Sequence, residues 1–207
     1  MMRENRMPSK TKKKKIIAVL RIGHRLVRDD RVTTHAALVS RAFGADRIFM
    51  TGIDQSVKET VAAVGRRWGG DFSVEIIDDW KAVARAWKKS GGKIAHLTMY
   101  GLNVDDIADK MRDDGSDLLI IIGAEKVPRE AYEMADYNVS VGSQPHSEIA
   151  ALAILLDRLH GGRQLKKEFA GGRMKVVPTE RGKKVVATVS ASEEEGENDD
   201  GDSSSNL

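Results

Sequence analysis

Short apolar runs alternate with amphipathic stretches along the first 160 residues of the chain. The apolar runs contain many β-branched side chains, which is typical of strands buried on both faces of a parallel sheet. The predicted strands are 16–22, 47–50, 72–77, 93–99, 118–122 and 138–141. Strands that alternate with helices predict an α/β fold, with an open, largely parallel sheet flanked by helices.

The amphipathic stretches carry signals that begin and end helices. Thr33 and Thr34 are predicted to cap a helix that ends before Gly44. Pro128 is predicted to be the first residue of a short helix that reaches Ala135. Further helices are predicted for 54–68, 80–89, 104–113 and 147–160.

The alternation of strands and helices stops at Gly161-Gly162. Beyond it, 174–178 and 184–189 flank the turn Glu180-Arg181-Gly182, which predicts a β-hairpin. The chain is therefore divided into a flexible basic arm (1–14), an α/β domain (15–162), a C-terminal β-hairpin extension (163–189) and an acidic tail (190–207) that we expect to be disordered.

Composition excludes several classes of protein. The chain has no cysteine, which rules out disulfides, cysteine-based zinc sites and a thiolate nucleophile. No apolar stretch approaches the roughly 18 residues that cross a bilayer, and no apolar segment follows the basic N-terminus, so we expect a cytoplasmic protein. The five histidines show no metal-ligand spacing, and no metal site is predicted. Neither G-x-G-x-x-G nor the P-loop motif is present.

Charge is distributed unevenly, although the formal net charge is only +3. Residues 190–207 hold four Glu and three Asp and no basic residue, so residues 1–189 carry a net charge of +10. Four consecutive lysines, Lys12 to Lys15, add a basic block near the N-terminus. A basic body favours a nucleic-acid partner, and a solvated lysine run is the alternative interpretation.

Three segments at the ends of consecutive predicted strands predict a ligand site. They are His96–Gly101, Gly123–Pro128 and Val141–Glu148. Glycine directly after a buried strand lets the backbone bend and lets a ligand approach it closely. Each loop alone reads as an ordinary strand-to-helix turn, but the three together favour a ligand that contains a nucleoside.

A cluster of arginines follows the first predicted strand. Arg21, Arg25, Arg28 and Arg31 fall within eleven residues, beside a predicted helix N-terminus. Guanidinium groups and helix N-termini both bind phosphate, so the cluster is a candidate phosphate site. The alternative interpretation is a solvated charged loop.

Four blocks of sequence resemble one family. RIGHRLVRDDRVTTHAALVSRAFGA, HLTMYGL, GAEKVP and VGSQPHSEIAALAILL, in this order and spacing, are similar to the archaeal tRNA cytidine-56 2′-O-methyltransferases of the SPOUT superfamily. The resemblance covers roughly residues 16–189. It implies a C-terminal trefoil knot, S-adenosylmethionine as methyl donor, a tRNA partner and a homodimer.

The resemblance also implies which residues bind the cofactor. In the first loop it indicates Leu97. In the second loop it indicates Gly123, Ala124, Glu125, Lys126 and Val127. In the third loop it indicates Val141, Gly142, Ser143, Gln144, Pro145, His146, Ser147 and Glu148.

The chain departs from the wider ribose-methylating SPOUT pattern in its catalytic motif. Where that pattern has Asn and a catalytic Arg before an F-G-like pair, this sequence has Val32 and Leu38. Arg25 and Arg31 are therefore the candidates for stabilising the reacting oxygen, with Arg21 next, because arginine stays protonated. His35 is the candidate proton acceptor. A SPOUT enzyme with another RNA target, or a non-catalytic RNA-binding protein, remains an alternative.

Overall fold

A computed structural model describes residues 14–23, 30–124 and 126–188. Several parts of the sequence predictions lie outside the described residues. They are Arg25, Arg28, Glu125, nearly all of the predicted basic arm and the whole of the predicted acidic tail. No helix in the described part is long and apolar enough to cross a membrane.

Six parallel strands form the main sheet, in the order β3-β2-β1-β5-β4-β6. The strands are β1 Ile17–Ile22, β2 Arg47–Thr51, β3 Ser73–Ile77, β4 Lys93–Asn103, β5 Leu118–Gly123 and β6 Tyr137–Ser140. The helices are α1 Asp30–Ala42, α2 Gln55–Trp68, α3 Trp80–Lys89, α4 Val104–Asp113, α5 Arg129–Met134 and α6 Glu148–His160. The predicted α/β class and its parallel sheet are confirmed.

Side chains of the central strands alternate between two cores, because successive strand residues point to opposite faces of a sheet. In β1, Ile17 and Val19 join the core beneath α1, α2, α4 and α6, whereas Ala18 and Leu20 join the core beneath α3 and α5. Both faces of the sheet are covered by helices, which explains why its central strands are almost entirely apolar.

Three details of the predicted elements were wrong. Helix α1 already begins at Asp30, so Thr33 and Thr34 lie within it and do not cap it. Pro128 precedes α5 with extended backbone (ψ 149°), so it is the N-cap and not the first helical residue. Strand β4 continues past Met99 to Asn103, because its last residues pair with β6.

The end of β4 makes an irregular pairing with β6. Val139 of β6 is opposite both Leu97 and Leu102 of β4, so residues 98–101 bulge out between two stretches of regular pairing. At the end of this bulge Gly101 approaches β6 closely: a Cβ atom on it would lie 2.4 Å from the carbonyl carbon and oxygen of Asn138. Only glycine allows two backbones to come this near.

A second compact unit consists of residues 62–71 and 168–188. The predicted hairpin is present here, as antiparallel strands β7 Met174–Val177 and β8 Lys184–Ala187. Gly70 N donates to Ala170 O at 2.8 Å, and a Cβ on Gly172 would lie 2.6 Å from Gly69 N. Gly69 and Gly70 therefore pack against Ala170 and Gly172 within this unit. The trefoil knot stays a prediction.

Gly101→Ala should lower the free energy of unfolding by about 1–3 kcal/mol, because the new methyl group overlaps the Asn138 backbone. Gly65→Ala is the matched control. Gly65 lies inside α2, where a Cβ has no neighbour closer than 4.0 Å, so this variant should gain about 0.4–1 kcal/mol. Urea unfolding of both variants tests how closely the backbones of Gly101 and Asn138 approach each other. If Gly101→Ala were as stable as the parent protein, the backbones would not be as close as described.

Candidate functional site

A cavity of about 430 Å³ opens at the carboxyl ends of β4, β5 and β6. These strands are neighbours in the sheet, in the order β5-β4-β6, so the three predicted loops meet at one edge. Carboxyl ends of parallel strands are the usual ligand-binding edge of such sheets, and this volume lies within the range of pockets that hold small molecules.

Most of the predicted cofactor-binding residues line this cavity. Those that do are Leu97, Gly123, Ala124, Lys126, Val127, Val141, Gln144, Pro145, His146, Ser147 and Glu148. Gly142 and Ser143 lie exposed in the same third loop but are not part of the lining, and Glu125 is outside the described residues.

Several lining residues are not among the cofactor contacts that the resemblance implied. They include Thr98, Met99 and Tyr100 in the bulge of β4, and Tyr132 on α5. Thr98 Oγ1 lies 2.9 Å from the Tyr132 hydroxyl oxygen, so a hydrogen bond ties the bulge to α5. The bulge lies within the predicted loop His96–Gly101. Tyr132 could not be predicted, because a single tyrosine in a helix carries no sequence signal of a ligand site.

The third loop is held in shape by its own side chains. Both ring nitrogens of His146 face carbonyl oxygens: Nε2 is 2.5 Å from Val141 O, and Nδ1 is 3.1 Å from Ser147 O. Ser147 caps α6, its hydroxyl accepting from Ile149 N at 3.2 Å. Gly142 supplies the positive φ of +69° that the turn needs. The loop therefore presents its backbone to the cavity in one arrangement.

His96 forms part of the cavity wall and is fully buried. Burial lowers the pKa of its imidazole below the usual value, and a hydrogen bond with Asn138 opposes this in part. The ring is therefore neutral at physiological pH.

Arg21 is buried behind the cavity and does not line it. Its side chain is 1% exposed and pairs with Glu148, whose Oε1 accepts from Arg21 Nε at 2.8 Å. Arg21 Nη1 also donates to Thr33 Oγ1 at 3.0 Å, which links β1, α1 and α6. A guanidinium held in this way positions Glu148 and is not on a surface that phosphate or RNA could reach.

Arg31 and His35 lie one turn apart on α1, so they share a face of the helix, and both are exposed. Neither is among the residues that line the cavity. Within the described part of the chain, the predicted catalytic residues are therefore not brought together with the predicted cofactor site. Among the same residues, no group of His, Cys, Asp or Glu side chains could hold a metal ion.

The fold resembles that of SpoU-type RNA methyltransferases. The A. aeolicus TrmH/SpoU tRNA modifying enzyme matches with a TM-score of 0.54 at 15% identity, over 75% of this chain and 79% of that chain. The SpoU methyltransferase AviRb from Streptomyces viridochromogenes, solved in complex with AdoMet, matches with a TM-score of 0.52 at 16% identity, over 72% and 58%. The fold is therefore that of the SPOUT methyltransferases.

Sequence similarity narrows this class to one family. The family described as tRNA ribose 2′-O-methyltransferase, aTrm56, matches residues 68–186. Two proteins named tRNA (cytidine(56)-2′-O)-methyltransferase are each 58% identical to this chain. The match with the Nitrosopumilus maritimus protein covers 82% of this chain and 96% of that protein. The match with the Thermococcus kodakarensis protein covers 84% of this chain and 98% of that protein. The chain belongs to the tRNA ribose 2′-O-methyltransferase family, as the sequence blocks predicted.

Removing either partner of the Arg21–Glu148 pair should cost about 3–5 kcal/mol of unfolding free energy, because a buried charge loses its counterion. We expect Arg21→Met and Glu148→Gln to show strong coupling in a double-mutant cycle, measured by urea unfolding. The exposed pair Arg129–Glu133 is the control, and its cycle should give a much smaller coupling. Equal coupling in the two cycles would show that the buried pair does not organise the site.

Proposed function

We propose that this protein transfers a methyl group from S-adenosylmethionine to the ribose 2′-hydroxyl of cytidine 56 in tRNA. The observation that carries the proposal is the 58% identity to proteins of that name over nearly their whole length. The cavity supports it independently, because the segments that resemble the family's cofactor loops form its walls.

The residues around the cavity fit S-adenosylmethionine. More than half of the residues in its walls are apolar or aromatic, such as Leu97, Val127 and Tyr132, which suits a neutral nucleoside. Leu97, the second loop and the third loop would hold the cofactor by backbone contacts, and the sulfonium group would supply an electrophilic methyl carbon. Glu148, which lines the cavity and is fixed by Arg21, offers a carboxylate to a cationic part of the ligand.

Methyl transfer to a ribose requires an in-line approach of the 2′-oxygen and loss of its proton. Arg25 and Arg31 would stabilise the developing negative charge, since a fixed cation near an alkoxide lowers the barrier. His35 would take the proton, because an unprotonated imidazole nitrogen can act as a general base. Arg21 is assigned a positioning role in place of a catalytic one, in view of its burial.

The protein is proposed to act as a homodimer, in which α1 of one protomer faces the cavity of its partner. Arg31 and His35 are exposed and do not line the cavity of their own chain. Around the same cavity, Met99, Tyr100 and Leu102 expose 42%, 78% and 66% of their surface, which makes an apolar patch suited to a partner. A dimer also doubles the +10 charge of residues 1–189 that is available to tRNA in the cytoplasm.

A complementation experiment tests the cofactor site and the dimer together. Gly123→Val should abolish binding of S-adenosylmethionine in titration calorimetry, because the valine side chain would occupy the cavity. The variant should still fold, because Gly123 is the last residue of β5 and strand backbone accepts valine. Arg31→Ala should keep that binding but lose turnover.

A heterodimer of the two variants, purified with two tags, should recover methylation, because one of its two sites then has both an intact cavity and Arg31. The two homodimeric variants mixed without subunit exchange are the control. An inactive heterodimer would show that Arg31 does not act across an interface.

Replacing the acceptor group tests the reaction itself. A tRNA with 2′-deoxycytidine at position 56 should not be methylated, whereas one with a deoxynucleotide at the neighbouring position should be. Mass spectrometry of nuclease digests gives the site and the extent of methylation. Methylation of the first substrate at the normal rate would mean that the acceptor is a base or another nucleotide.

A further inference from the structure

The second compact unit carries a concentration of positive charge. Residues 62–71 and 168–188 contain seven lysines and arginines and three acidic residues, so their net charge is +4. All seven cations are exposed, and they are Arg66, Arg67, Arg173, Lys175, Arg181, Lys183 and Lys184. Among the described residues one of the seven is in a salt bridge, since Lys175 Nζ lies 2.7 Å from Glu168 Oε1. Most of this charge is therefore open to an anionic partner.

The register of the hairpin places the charges of its strands on one face. Residues directly opposite each other in an antiparallel pair share a face, and so do alternate residues along a strand. Lys184 is opposite Val177, so it shares a face with Lys175, two residues before Val177. Thr188 N donates to Arg173 O at 2.9 Å, so Arg173 continues the ladder and adds a third cation. We call the face with Arg173, Lys175 and Lys184 the basic face.

The opposite face of the hairpin is apolar. It carries Met174, Val176, Val185 and Ala187. Arg67, in the last turn of α2, donates from Nε to Met174 Sδ at 3.1 Å, so it is the apolar face that contacts the helix end within this unit. Charged and apolar side chains are thus separated across the hairpin, which leaves the cations side by side on one surface.

The turn of the hairpin is fixed and also basic. Thr179 Oγ1 donates to Gly182 O at 3.2 Å, and Gly182 has the positive φ of +89° that this turn requires. Arg181 and Lys183 lie on either side of Gly182, and both are exposed. Two-stranded hairpins are only marginally stable by themselves, and all four residues of β8 are exposed. The hairpin therefore presents its cations at the surface and buries little of itself.

We propose that the basic face of the hairpin binds the phosphate backbone of the tRNA substrate. The inference rests on the proposed function, which supplies tRNA as the partner. A row of exposed cations suits a phosphate backbone, because neutralising phosphates releases the counterions condensed around the nucleic acid. An interface with another protein chain would be expected to use the apolar face, since charged residues are depleted at the centres of protein interfaces.

The first test measures tRNA affinity as a function of salt concentration, by fluorescence anisotropy of a labelled tRNA transcript. The basic-face variant combines Arg173→Gln, Lys175→Gln and Lys184→Gln. Its Kd should rise about 3- to 100-fold at moderate salt, because three exposed ion pairs with phosphate are lost. The dependence of log Kd on log salt should become shallower by about 2–3, since each neutralised phosphate contributes about 0.7–0.9.

Two control variants separate position from charge. Lys58→Gln, Lys89→Gln and Lys110→Gln together remove the same charge from exposed positions on α2, α3 and α4. Val176→Thr with Val185→Thr alters the apolar face and keeps every charge and the branched shape that suits a strand. Both controls should bind tRNA nearly as the parent protein does. Melting curves check that all variants fold.

Steady-state methylation separates binding of tRNA from the chemical step. The basic-face variant should raise the KM for tRNA, whereas kcat at saturating tRNA should stay unchanged. Its affinity for S-adenosylmethionine in titration calorimetry should also stay unchanged, because no residue of the basic face lines the cavity.

Three results would count against the proposal. Equal losses in the basic-face variant and in the control variant of α2, α3 and α4 would show that overall charge alone matters, and would overturn the inference. Unchanged tRNA affinity would overturn it too, and is expected if another protein chain or the acidic segment 190–207 occupies this face. If the parent protein itself does not bind tRNA at low salt, the proposed function fails instead.

Discussion

The cavity depends on how closely the backbones of β4 and β6 approach each other. Val139 pairs with Leu97 before the bulge and with Leu102 after it, so the chain between them must leave the sheet and return. Gly101 makes the return possible, because its missing side chain leaves room for the Asn138 carbonyl. The excursion carries Thr98, Met99 and Tyr100 over the end of the sheet, where they form one wall of the cavity.

Buried polar groups then hold the cavity walls in position. The Arg21–Glu148 pair connects β1 with the start of α6, and Thr33 adds α1 to the same cluster. On the opposite face of the sheet, His96, Asn138 and Tyr132 connect β4, β6 and α5. Hydrogen bonds between buried groups restrict the motion of the elements that they join, at the place where a ligand must be oriented.

The departure from the wider SPOUT catalytic pattern has a structural counterpart. Val32 and Leu38, at the positions of the usual Asn and Arg, are half-buried in α1, and Leu38 packs against the core. These positions stabilise the helix and offer no group to a substrate. Among the described side chains of α1, those of Arg31 and His35 are exposed, and the proposed chemistry rests on them and on Arg25.

The class of fold, the order of the elements and the three loops of the site could be predicted from the residues alone. It could do so because burial on two faces makes each parallel strand apolar, and because loops at strand ends carry glycine and proline. The family resemblance named most of the residues that line the cavity. These signals are local, so they can be read from short segments of the chain.

The other features of the site depend on contacts between residues far apart in the chain, so no short segment reveals them. Arg21 looked like a phosphate ligand until its pairing with Glu148, 127 residues away, placed it in the interior. Nothing in the sequence indicated Tyr132 or the burial of the His96 imidazole, since their surroundings come from three separate elements. Strand β4 was predicted to end four residues early, because its last residues are strand only by pairing with β6. Packing partners, and not the residues themselves, set these roles.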